Sequence, residues 1–298
     1  MHTRFLSALL LLVALILTIG CGPKIEKTSG CDRPSTFSQN FKSDIAWVTL
    51  EWNCQLYGYG SGFLIDREKG AFYTNRHVSD MFDALGRGSH KVFFNGKVYN
   101  AKIVKAHNVV DAALVAITDR FDPSEFPEPA KISTEKVKLG DKLLIEGFHP
   151  HWYYIRQADE GNGYKFEQMS ILKDYYNLGT RQLEKEKEIV VEKLWSEVTG
   201  LDKKADFESK NMTQDLRNMV NIYIEVKTSK DHLFSFGGLS GTVVRNIKGE
   251  TVGVVTAEEE KLEEEQELGH GFVLLKKVFN AVYVTPIGVV DDLRQYLK

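Results

Sequence analysis

Cysteine is scarce in this chain of 298 residues: only Cys21, Cys31 and Cys54 occur. None stands in a Cys-x-x-Cys pair or beside a histidine cluster, which argues against a zinc site built on thiolates. An excess of one charge is missing too. Lys and Arg number 38 against 41 Asp and Glu, a formal net charge of −3, so the composition carries no footprint of nucleic-acid binding. Past the first twenty residues there is no second apolar run long enough to anchor in a membrane. No internal repeat is evident, and the length suits one or two domains.

What is present begins at the N-terminus. After Arg4, residues 6–19 are almost unbroken apolar and end in Gly20-Cys21. A basic start, a short apolar core and a small residue before the cut describe a secretory signal peptide over residues 1–20. The apolar core is shorter than the about 20 residues a membrane span needs. Leu17-Thr18-Ile19-Gly20-Cys21 resembles a bacterial lipobox, with Thr18 where Leu is usual. That resemblance implies a lipid on Cys21 and an exported chain held to a bacterial membrane on its periplasmic or surface side. The alternative is a cleaved signal that leaves Cys21 an ordinary thiol. With Cys21 lipidated, Cys31 and Cys54 remain, and an oxidising compartment permits one disulfide between them. Residues 21–43, rich in Ser, Thr, Lys, Gly and Pro, read as a tether.

Short β-type runs dominate from there: residues 46–50, 62–65, 91–94 and 112–117, then 142–145, 222–226, 242–244, 251–256 and 282–284. Turn residues separate them, and many short strands at such spacing suggest an all-β sandwich or barrel. Residues 157–217 break the pattern. Leu183, Val190, Val191, Leu194 and Val198 fall at helical spacing, with Gly200 placed to cap the helix. A weaker helix is expected from Asp202 toward Leu216. The segment therefore reads as a helical insertion, a solvated face or else a surface for a protein partner. Val290, Leu293 and Leu297 predict a closing helix over residues 289–298.

Three fragments carry chemistry. Thr74-Asn75-Arg76-His77-Val78 comes first, then Asp111-Ala112-Ala113-Leu114-Val115, then Gly238-Leu239-Ser240-Gly241. A serine hydroxyl is a weak nucleophile until a base takes its proton, and the base needs an acid to hold its tautomer. The order His, Asp, Ser is that of the chymotrypsin-type hydrolases rather than of subtilisin or the α/β-hydrolases. His77, Asp111 and Ser240 are thus the expected catalytic residues. The N–H groups of Gly238 and Ser240 are the expected oxyanion hole, since developing negative charge needs preplaced donors.

Gly60-Ser61-Gly62-Phe63-Leu64-Ile65-Asp66 leading to Thr74-Asn75-Arg76-His77-Val78 resembles the opening of Deg/HtrA-type trypsin-like proteases. Asp111 to Val115, Leu139-Gly140-Asp141 with Ile145-Glu146-Gly147-Phe148, and the stretch from Ser240 to Ala257 resemble later segments of the same family. The resemblance implies two six-stranded antiparallel barrels, residues 44–128 and 129–298, with the triad in the cleft between them. It implies hydrolysis of polypeptide by an acyl-enzyme route that needs no metal or organic cofactor. Thr242 and Val243 depart from the family's usual Gly and Pro, and no PDZ-like domain is expected.

The same resemblance places Phe234 at the floor of the specificity pocket and residues 254–257 (Val254, Val255, Thr256, Ala257) on the substrate-binding strand. Neither Phe234 nor Val255 is acidic, so small or medium apolar side chains suit the pocket better than Arg or Lys. Glu258 to Glu267, with seven glutamates, reads as a solvated loop. His149-Pro150-His151 invites a metal reading, but no carboxylate or Cys completes a ligand set in the sequence, so a loop is expected and no metal site is assigned. The alternative to a protease is a trypsin-fold lipoprotein without catalysis that binds a partner through its insertion.

Overall fold

The computed structural model describes residues 43–52, 55–80, 89–161, 163–164, 166–169, 187–203, 223–232, 235–269 and 272–298. All lie in the second of two units into which the chain divides, Pro34–Lys298. The signal segment, the tether, Cys21, Cys31, Cys54, Leu183, residues 204–222 and Phe234 fall outside the described residues.

Six antiparallel strands close the first barrel in the order β1-β2-β3-β6-β5-β4. They are β1 (Ile45–Trp52), β2 (Gln55–Asp66), β3 (Ala71–Thr74), β4 (Ser89–Phe94), β5 (Lys97–Ala106) and β6 (Ala113–Ile117). Their apolar residues occupy both faces, and the reason lies in the packing. Ala46, Val48, Leu64, Phe72, Val92 and Phe94 form one buried cluster with Val115 and Phe126. The alternate residues Ile45, Trp47, Phe63, Tyr73 and Phe93 belong to a second cluster shared with Phe148, Val191, Val243 and Val254 of the following barrel. A strand buried on both sides reads as a continuous apolar run.

The second barrel contains β7 (Lys142–Trp152), β9 (Lys187–Lys203), β10 (Tyr223–His232), β11 (Val243–Asn246), β12 (Thr251–Gly269) and β13 (Phe272–Pro286). The order is β10-β13-β12-β11-β7-β9, and pairing of β10 with β9 closes the ring. A short strand, β8 (Phe166–Met169), lies along the first half of β9. The double-barrel expectation is therefore met.

Part of the insertion is strand rather than the helix expected. Among its described residues Tyr153–Gly161 is α-helical, and residues 187–203 form β9, paired without interruption to β7 from Lys142↔Glu197 to Trp152↔Lys187. Glu192, Leu194, Ser196, Val198 and Gly200 point inward while Lys193, Trp195 and Thr199 are exposed. That is a strict period of two. Gly200 lies within the strand and caps no helix. The glutamate run is likewise strand: β12 continues through it to Gly269, paired with β13.

At the C-terminus, α-helix Ile287–Val290 passes into a 3-10 turn, Asp291–Tyr296. Ile287, Val290 and Leu293 enter the shared cluster. Tyr73 Oη donates to Asp291 Oδ1 at 2.9 Å, fixing that end against β3.

Candidate active site

His77 is the second residue of α1 (Arg76–Asp80), which follows β3 and Asn75 directly. The preceding residues are pinned one by one. Thr74 Oγ1 donates to the Ser61 carbonyl at 2.7 Å. Asn75 Nδ2 donates to the Asp111 carbonyl at 2.8 Å and to Thr256 Oγ1 at 3.3 Å. The backbone N–H of His77 donates to Asp111 Oδ1 at 2.8 Å, and its ring Nδ1 pairs with Oδ2 at 2.5 Å. Burial of the ring disfavours its cation. The Asp111 charge and hydrogen bond outweigh that and raise the His77 pKa above its ordinary 6.5.

Asp111 is buried, in the turn that enters β6. The turn is held from an unforeseen side: His107 Nδ1 accepts the N–H groups of Val109 and Val110, at 3.1 and 3.0 Å. Burial lowers the His107 pKa, and the two N–H groups that Nδ1 accepts place the neutral ring's proton on Nε2.

Ser240 lies in the segment between β10 and β11. Leu239 anchors it in the core of the second barrel. The Ser240 carbonyl accepts the N–H of Ser61, at 2.7 Å, and Gly241 N–H donates to Val255 O at 3.0 Å. Gly60 lets the two halves of the site approach. A Cβ there would sit 2.6 Å from Val78 Cγ2 and 2.7 Å from the Ser240 carbonyl oxygen. Gly238 has φ +105°, and a Cβ on it would meet Pro150 Cδ at 2.4 Å. Among the described residues, no backbone acceptor takes the N–H of Gly238 or of Ser240.

A family profile described as a trypsin-like peptidase domain matches residues 60–191. Two crystal structures of the Rv3671c protease are similar in shape, each at 15% identity and covering 86% of this chain. The active form, from M. tuberculosis, has a TM-score of 0.51 with 81% of its own chain covered. The inactive form has a TM-score of 0.49 with 89% covered. No curated protein sequence matches. The fold is that of the trypsin-like peptidases. The matched domain, with this fold, supports a trypsin-like serine protease.

The expected substrate strand, residues 254–257, lies within β12. Val254 pairs with Val243 of β11, and Val255 exchanges backbone bonds with Gly241 and Thr242. Both side chains are buried in core clusters. Only past Val255, at Thr256 and Ala257, does β12 run beyond its partner β11. Glu258, expected in a solvated loop, is half-buried and accepts from Ser235 Oγ at 2.5 Å and from the Phe236 N–H. It thereby fixes the segment leading to Gly238.

The loop expected at His149-Pro150-His151 is instead the buried end of β7, and a carboxylate does join it. Glu192 comes from β9, more than forty residues downstream, and His232 from the end of β10. His149 Nδ1 lies 2.6 Å from Glu192 Oε2, and His151 Nε2 lies 2.9 Å from His149 Nδ1 and 3.2 Å from Glu192 Oε2. His232 Nε2 is 2.9 Å from Glu192 Oε1. All four side chains are buried. Burial pushes the Glu192 pKa up, but the surrounding imidazoles hold it well below the usual carboxylate range. Burial and the neighbouring His149 press the His151 pKa down to about 4.

Proposed function

We propose that this chain is an exported serine endopeptidase, lipid-anchored through Cys21, that cleaves exposed or unfolded polypeptide. The observation that carries the reading is the two-point hold of Asp111 on His77. Such a hold fixes the tautomer with the proton on Nδ1 and leaves Nε2 as base. Nε2 takes the proton of Ser240 Oγ as the hydroxyl attacks the scissile carbonyl. The N–H groups of Gly238 and Ser240 receive the oxyanion. His77 then gives its proton to the leaving amine, and water repeats the sequence in reverse to release the acyl group. Asp111 stays ionised throughout and stabilises the imidazolium.

Substrate enters as an added strand along β12 from Thr256 onward, where β11 no longer pairs. With no acidic residue at Phe234 or Val255, the expected pocket positions, small or medium apolar side chains are the preferred ones. The test is hydrolysis of an unfolded protein such as reduced casein. Wild-type protein cleaves it and Ser240→Ala does not; equal cleavage by both would overturn the reading.

A further inference from the structure

The His149, His151 and Glu192 side chains meet at a point the proposed chemistry does not use. One ligand atom from each lies within 4.8 Å of the others, and the closest triplet is separated by 2.6, 2.9 and 3.2 Å. Donor atoms of a tetrahedral zinc site lie roughly 3.4 Å apart, with bonds of about 2.1 Å. The edges of the triangle therefore need to open by about 0.2–0.8 Å to hold an ion above its face.

The outer contacts fit the same reading. His149 Nε2 faces the Ser235 carbonyl at 3.1 Å. A carbonyl only accepts, so Nε2 carries a proton and Nδ1 is the ring nitrogen that faces Glu192 Oε2. One divalent ion above the triangle would meet His149 Nδ1, His151 Nε2 and Glu192 Oε2 at once. A metal-bound imidazole commonly donates its second N–H to a backbone carbonyl, and a metal-bound carboxylate is itself held by a neighbour. Ser235 O and His232 Nε2 stand in those two places.

We propose that His149 Nδ1, His151 Nε2 and Glu192 Oε2 bind a zinc ion. Two imidazole nitrogens and one carboxylate oxygen suit zinc, whereas magnesium and calcium favour all-oxygen sets. The ion braces the fold, with a water in the fourth tetrahedral position that three side chains leave open. Its ligands are buried, and the rings of Phe166, Tyr164 and Phe236 pack on His151 and His232, with centroids 4.6, 4.4 and 4.7 Å away. The ion joins β7 to β9 and, through Ser235 and through Pro150 beneath Gly238, braces the segment that precedes Ser240.

The test uses untagged full-length protein, stripped with chelator and titrated with zinc and with cobalt(II). One zinc per chain with a rise in melting temperature, and the visible absorption of tetrahedral cobalt without a thiolate charge-transfer band, are expected. His232→Gln should weaken zinc binding about 10–100-fold, and His151→Gln should remove the cobalt bands while circular dichroism shows a folded chain. The wild-type cobalt spectrum answers the question even if that variant fails to fold. A cobalt spectrum unchanged from the aqueous ion, or a thiolate band that places the ion on cysteine, would overturn the proposal. None of these readouts depends on whether Ser240 is a nucleophile.

Discussion

The Asp111 carboxylate accepts the backbone N–H of His77 at 2.8 Å and pairs with its ring Nδ1 at 2.5 Å. The first bond places the residue and the second orients the ring, so geometry and charge can be separated by mutation. Asp111→Asn keeps the size of the side chain but offers Nδ1 a mixed partner. Peptide turnover should fall by about 10⁴-fold with the fold unchanged by circular dichroism.

The same pair sets a pH dependence. A His77 pKa raised in the folded state means the native ring binds its proton more tightly than the unfolded chain does. Its contribution to stability is therefore complete below the unfolded value and is lost as pH rises through the folded one. Activity runs the other way, since only the neutral ring is a base. The acid limb of kcat/KM should have its midpoint above the ordinary histidine value, and Asp111→Asn should move it to lower pH.

Gly238 carries a positive φ and has Pro150 against it. Gly238→Ala adds a methyl group that both the backbone angle and the proline oppose, displacing one N–H from the expected oxyanion position. Loss of one such donor costs roughly 10²–10³-fold in kcat. The expected result is that loss with little change in KM, measured on a short peptide.

Asn75 reaches both the Asp111 carbonyl and Thr256 from a buried position. Asn75→Ala strands a buried carbonyl, which costs about 1–3 kcal/mol. Urea denaturation should show that loss, and turnover should fall with it because the Asp111 turn is no longer tied to α1.

The pairing of His77 with Asp111 was legible because each lies in a short local pattern, and the apolar runs of β1, β2 and β6 announced strands. The second barrel was harder to read for a specific reason. Val190, Leu194 and Val198 are four residues apart, a spacing that fits a helix face and, as a multiple of two, a strand face equally well. Two inward polar residues, Glu192 and Ser196, hid the alternation that would have decided it. Reading β9 as a helix put Glu192 on a solvated surface, and His149 and His151 then had no carboxylate within sight. Their partner arrives through strand pairing of β7 with β9, a long-range contact that local spacing does not encode. Glu258 was missed for a related reason: one member of an acidic run turns inward to hold the Phe236 N–H, while charge composition describes the run as a whole.

Labelling with a fluorophosphonate probe tests the central claim most directly, because the probe reports a serine activated by its base rather than binding of a substrate. Wild-type protein should gain one covalent phosphonyl group, located by mass spectrometry on Ser240. Ser240→Ala and His77→Ala should both remain unlabelled. A folded wild-type chain that takes up no probe, or one labelled equally after His77→Ala, would contradict the account.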